Sequence, residues 1–157
     1  MANNSQKLID STRRVVYKFT GDATEARTLK IDAGGLAYAL NANGYIITGS
    51  DRKSNYGLTL KKVIHSISGG GYVEISTNGD TGNTIVNLGG SGTLAFDEGG
   101  DSVTINCASY ANSTGNIFLT LTGGTGPVNT YTVLLDFRKL AYSYDQGQTA
   151  DPRAFNV

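Results

Sequence analysis

The sequence predicts an all-β fold, a single β-sandwich of jelly-roll type, and three observations predict it. Apolar residues recur at every second position in one short run after another, the spacing of strands with one buried face. Glycine-rich turns cut these runs apart: the 157 residues include 21 glycines and only 2 prolines. About nine or ten such runs follow one another at roughly even spacing, the sequence mark of a sandwich or barrel. A chain of this length makes one domain and can bury about two-thirds of its unfolded surface.

Residues 1–12 are polar, with Leu8 and Ile9 their only apolar pair, and read as an extended N-terminal arm. The β-sandwich domain is expected over residues 13–139. Residues 13–21 alternate Val15, Tyr17 and Phe19 against Val16, Lys18 and Thr20, a first strand. Residues 27–32 form a second, with Leu29 and Ile31 inward. Residues 33–43 contain helix-forming LAYAL hemmed in by Gly34, Gly35 and Gly44, and read as irregular or strand-like. Residues 45–48 are a brief strand, and the polar 49–56 an exposed loop. In Leu58–Ile67 the alternation slips at Lys61–Lys62: Leu58 and Leu60 share one phase, Val63 and Ile67 the other. A β-bulge restores a common buried face.

The turn SGGG then leads into Tyr72–Thr77, which reads as the second arm of a hairpin. Short strands follow at 84–88, 93–96 and 102–106. Residues 116–122 and 130–139 alternate most regularly, and with the glycine-rich segment between them predict a long hairpin at the centre of a sheet. Residues 140–157 carry Tyr142, Tyr144 and Phe155 without a strand or helix period. Disordered tails are poor in aromatics, so this tail is expected to lie extended on a surface, its own or a neighbour's.

Charge narrows the partners. Thirteen basic and thirteen acidic side chains cancel, and charged residues are 17% of the chain, below the roughly 25% of soluble domains. Neither a nucleic-acid nor a membrane partner is expected. The N-terminus MANNSQKLID lacks the apolar core of a secretory signal, and no run approaches the ~20 apolar residues that span a bilayer. Synthesis as a soluble chain in the cytoplasm is the expectation.

No residue pattern points to a reaction. His65, the one histidine, sits mid-strand without a marked nucleophile or carboxylate and reads as structural. Cys107 is the only cysteine and reads as an inert buried thiol. Asp97, Glu98 and Asp101 could converge on a cation, but their spacing is not that of an EF-hand, and turn chemistry is preferred. A glycosidase pair drawn from Glu74, Asp97 and Glu98 has no support beyond the presence of carboxylates. GGSG and GGTG lack the phosphate-loop pattern and read as turns. Neither a cofactor nor a metal is expected.

The ends of the domain resemble something specific. STRRVVYKFTG (11–21), SGTLAF (91–96), STGNIFLTLTGG (113–124) and TYTVLLDFRK (130–139) resemble small β-rich virion structural proteins of tailed bacteriophages. In those proteins an opening R-x-V-x-K-x-T-G strand and a closing Y-x-[IV]-x-L-x-[FL]-x-K strand bracket a compact β domain. The resemblance covers about residues 8–139 and implies a non-enzymatic capsid decoration or cement protein of the virion, made in the host cytoplasm. It implies binding to the major capsid protein or other virion proteins, and a homo-oligomer. Arm and tail would supply the contacts, through Leu8, Ile9, Arg13 and Arg14, and through Tyr142, Tyr144, Arg153 and Phe155. A neck, collar or tail component is the alternative within this class, and a carbohydrate- or host-receptor-binding β-sandwich the alternative outside it.

Overall fold

The computed structural model describes residues 3–22, 24–78, 83–96, 103–105, 114–123 and 130–147. The fold is all-β. Strands β1 (Asn4–Asp10), β2 (Arg14–Gly21), β10 (Tyr131–Lys139), β4 (Leu58–Ile67) and β7 (Ser91–Ala95) lie side by side in that order in one sheet. Strand β8 (Val103–Ile105) joins the same sheet beside the first half of β4. The second sheet has the order β3 (Glu25–Ile31), β9 (Ile117–Thr122), β5 (Tyr72–Thr77), β6 (Asn83–Gly89). Every pairing is antiparallel.

One apolar core lies between the sheets. The first contributes Val15, Phe19, Leu58, Leu60, Val63, Val133, Leu135 and Phe137, the second Ile31, Val73, Ile75, Leu88, Ile117, Leu119 and Leu121. The alternation of β9 and β10 is the clearest in the chain because both are central: each odd residue of β10 is buried and each even one faces outward. Fully burying side chains of this size contributes about 1.5–3 kcal/mol each.

Two predicted hairpins are absent. β9 pairs with β3 and β5, whereas β10 pairs with β2 and β4, so the two strands centre opposite sheets. Likewise β4 and β5 belong to different sheets, and SGGG carries the chain across the core. A four-residue connection reaches about 14 Å, more than the ~10 Å between packed sheets. The bulge in β4 is where the alternation put it: Asp136 faces Lys62 and Phe137 faces Leu60, which leaves Lys61 as the extra residue.

The other differences are local. Residues 4–10, expected as an arm, form the edge strand β1, paired along β2; their weak patterning follows from exposure on both faces. Leu29, expected inward, is 46% exposed, because the register shifts between it and Ile31. Residues 45–48 make only an isolated bridge, Ile46 to Leu40. Residues 33–57 are a long excursion that opens with a 3-10 turn at Ala33–Gly35. The first part of the tail packs on that excursion: Leu40 N–H donates to Ser143 O, Asp145 N–H to Tyr38 O, and Gly57 N–H to Ser143 Oγ. Cys107, Asp97, Glu98, Asp101, Arg153 and Phe155 lie outside the described residues.

Candidate partner interface

The residues expected to meet a partner fall into three places. Leu8 and Ile9 are exposed on β1, the outermost strand of its sheet. A register shift makes Leu8 the extra residue, since Lys7 faces Tyr17 and Ile9 faces Val16. The outer edge of β1 offers backbone groups to an added strand, and the bulge and Lys7 are features that restrain indiscriminate pairing.

Arg13 and Arg14 stand at the entrance to β2 and line an open groove of about 450 Å³ with Lys61, Asp136, Phe137 and Arg138. β10 lies between β2 and β4, so it brings together residues far apart in the chain. Arg14 holds Asp136 in a two-pronged pair, Nε to Oδ1 at 3.0 Å and Nη2 to Oδ2 at 2.8 Å. Phe137 is fully buried and forms only the floor. Arg138 is exposed beside them.

Tyr142 and Tyr144 separate. Tyr142 is exposed, with its carbonyl accepting a bond from Lys53 Nζ at 2.7 Å. Tyr144 is 0% exposed, donates its hydroxyl to Ala33 O at 2.8 Å and packs its ring 5.7 Å from that of Tyr56. It is a core residue and is withdrawn from the partner-facing set. Its aromatic character served burial under the 33–57 excursion, a pocket that nothing near residue 144 in the sequence announces.

That excursion presents a surface which sequence reasoning missed. Tyr38, Tyr45 and Ile46 are exposed there. Tyr38 and Ile46 border a cavity of about 270 Å³ whose lining includes Leu36, Ile47 and Arg52. The loop is built rather than loose: Asn41 Oδ1 accepts the N–H groups of Asn43 and Tyr45, and Asp51 accepts from Asn41 Nδ2 and Thr48 N–H. Arg52 forms an ion pair with Asp32 at 2.9 Å. Tyr38 has φ 65°, a left-handed conformation that costs a non-glycine residue about 1–2 kcal/mol and persists only where its surroundings impose it. Here Asp10 Oδ2 holds Ala37 N–H at 2.9 Å, and Asp145 N–H holds Tyr38 O at 2.8 Å.

A buried ion pair joins β1, β10 and the backbone beside Tyr38. Lys139 is fully buried, and its ammonium donates to Asp10 Oδ1, to Ser11 O at 2.6 Å and to Ala37 O at 2.8 Å, which uses all three protons. Desolvation pushes the Asp10 carboxyl up, but bonds from Lys139, Ala37 N–H and Lys7 outweigh it and hold the group below the ordinary 3.8. Burial pushes the Lys139 ammonium down against the pull of Asp10. With three acceptors around it, the pair is ionised at neutral pH. It fastens the end of β1 to β10 and to the Tyr38 loop.

His65 is nearly buried, with Nδ1 3.2 Å from Gly90 O, a structural contact. Glu74 accepts a bond from Thr84 Oγ1 at 2.7 Å. Among the described residues no cluster of His, Cys, Asp or Glu could hold a metal ion, and no helix is long and apolar enough to cross a membrane. Comparison with protein-family models, with curated proteins and with solved structures finds no match to this chain.

Proposed function

We propose that the protein is a non-enzymatic structural component of a bacteriophage virion, a jelly-roll decoration or cement protein that binds the capsid exterior and stabilises contacts between capsomers. The strand order carries this reading. Four strands of one sheet run β2-β10-β4-β7 and the four of the other β3-β9-β5-β6, so the chain passes repeatedly from sheet to sheet. Such an order is compatible with two interlocked Greek keys and supports the jelly-roll reading, an architecture of capsid and lectin domains. Two of the four segments in which the sequence resembles virion proteins, 11–21 and 130–139, supply neighbouring strands that pair from Tyr131–Gly21 to Arg138–Arg14.

The exposed contact elements suit docking on a repeating surface. Among the described residues β1 is unpaired on its outer side, with Leu8 and Ile9 exposed, and Tyr38, Tyr45 and Tyr142 are exposed as well. Several modest contacts per copy, repeated in a homo-oligomer on a symmetric shell, gain strength by avidity. The partner in this reading is the major capsid protein and the location the virion, after synthesis in the host cytoplasm. The test is sedimentation of purified protein with capsids that lack it, and separately with tails, counting bound copies. Hundreds of copies per capsid are expected. A handful, or binding to neck or tail preparations alone, moves the protein to a neck, collar or tail position, and no binding to either overturns the reading.

One observation favours a carbohydrate- or receptor-binding module instead. The cavity beside Tyr38 combines an aromatic ring, aliphatic walls and the Arg52 guanidinium, the mixture that small-ligand sites use. A glycan-array signal abolished by Tyr38→Ala would put this reading first.

A further inference from the structure

We propose that the groove at the entrance to β2 takes an acidic segment of the protein's shell partner, with Arg13 and Arg138 receiving its carboxylates; the identity of that partner rests on the virion reading, while the carboxylate site does not. The chain as a whole is neutral, thirteen cations against thirteen anions. The groove is not. Among the described residues its arginines alone, Arg13, Arg14 and Arg138, outnumber the single carboxylate of Asp136, which Arg14 holds. Such a local excess raises the concentration of opposite charge at the surface and favours an anionic occupant.

The type of anion follows from what the groove already holds. Asp136 sits on Arg14 through two parallel N–H···O bonds, the geometry in which a guanidinium recognises a carboxylate. Arg13 and Arg138 present the same planar fork, exposed and with no ion pair or side-chain hydrogen bond among the described residues. Lys61 reaches the groove because the bulge in β4 makes it the extra residue opposite Asp136 and Phe137. Bulges redirect side chains at functional edges.

A protein segment fits better than a nucleic acid. Single-stranded nucleic acid is held on aromatic faces on which bases stack, and among the described residues the one aromatic lining the groove, Phe137, is wholly buried. Carboxylates on an extended peptide need only the forks and the cations beside them. The volume of about 450 Å³ holds a few side chains rather than a folded domain.

The probe is a fluorescently labelled hexaglutamate peptide, followed by anisotropy at low and at physiological salt. Wild-type protein should bind it, more weakly as salt rises. The double substitution Arg13→Glu/Arg138→Glu should weaken binding by about tenfold, the loss of two exposed charge contacts. Lys18→Glu, on the same sheet but outside the groove, should leave it unchanged. Equal unfolding midpoints would show that the double variant still folds. Absent binding, binding indifferent to Arg13→Glu/Arg138→Glu, or tighter binding of a single-stranded oligonucleotide of the same charge overturns the inference. Capsid sedimentation then separates the two claims. If wild type and the double variant load capsids equally, the groove is not the docking site and the virion reading stands. If neither loads them, the virion reading falls, and a peptide site lost in the double variant keeps the groove as a carboxylate site.

Discussion

Replacing Lys139 by methionine should be among the most damaging single changes to this fold. The substitution keeps most of the aliphatic volume and deletes one charge with three hydrogen bonds, to Asp10, Ser11 O and Ala37 O. Removing one member of a buried ion pair costs about 3–5 kcal/mol, because the survivor stays buried and uncompensated. The lower end applies here. Asp10 keeps the Ala37 N–H at 2.9 Å and Lys7 at 3.1 Å. About 3 kcal/mol corresponds to a melting point lower by about 9 °C in a domain of this size. Acid should reveal the same pair. The folded value of Asp10 lies below 3.8, so its contribution is complete above that pH and is lost as pH falls through the folded value. Wild type should therefore destabilise below about pH 4, whereas Lys139→Met should have lost most of that contribution already at neutral pH. The assay is urea unfolding at pH 7 and pH 3 with a cycle of Asp10→Ala, Lys139→Met and both. A coupling above about 1.5 kcal/mol is expected at pH 7. Additive single effects, or a Lys139→Met melting point within 2 °C or so of wild type, would refute the role given to the pair.

Three further outcomes follow from named contacts. Truncation after Lys139 removes Tyr144 from the core and should cost about 3–5 kcal/mol in thermal unfolding, so a tail deletion meant to probe assembly has to begin beyond Gly147. Deleting Lys61 should be tolerated within about 1 kcal/mol, because it leaves Leu58, Leu60, Val63 and Ile67 in one phase; deleting Ile64 would turn Ile67 outward and should cost several times more. The Tyr131 hydroxyl is pushed up to about 12, by desolvation and then by Glu25, so its contribution is complete below 10 and is lost as pH rises through 12. Absorbance titration of the nine tyrosines should include a group ionising at about 12 that Tyr131→Phe removes.

The strands were legible because a period of two reports one thing well: which face of a run is buried. It reports nothing about the neighbour on either side. Residues 116–122 and 130–139 carry the strongest alternation and were read as partners, yet a central strand of either sheet would carry the same pattern. A glycine-rich link can close a hairpin or cross between sheets, and SGGG after β4 crosses. β1 was missed for the opposite reason. An edge strand exposed on both faces is held by backbone bonds to β2, which leave little trace in side-chain pattern.

The same division runs through the candidate interface. The slip at Lys61–Lys62 was visible in the sequence, and it is the local irregularity that places Lys61 in the groove. Arg13 and Arg14 were visible as a pair at the start of a strand. What no local pattern contains is that Asp136 and Arg138 lie between them and Lys61, since that depends on β10 entering between β2 and β4. A groove assembled from three strands by sheet order moves as a unit with that order. Substitutions on its rim should therefore change binding without changing the fold, whereas substitutions that disturb the seating of β10, Lys139 foremost, should abolish both.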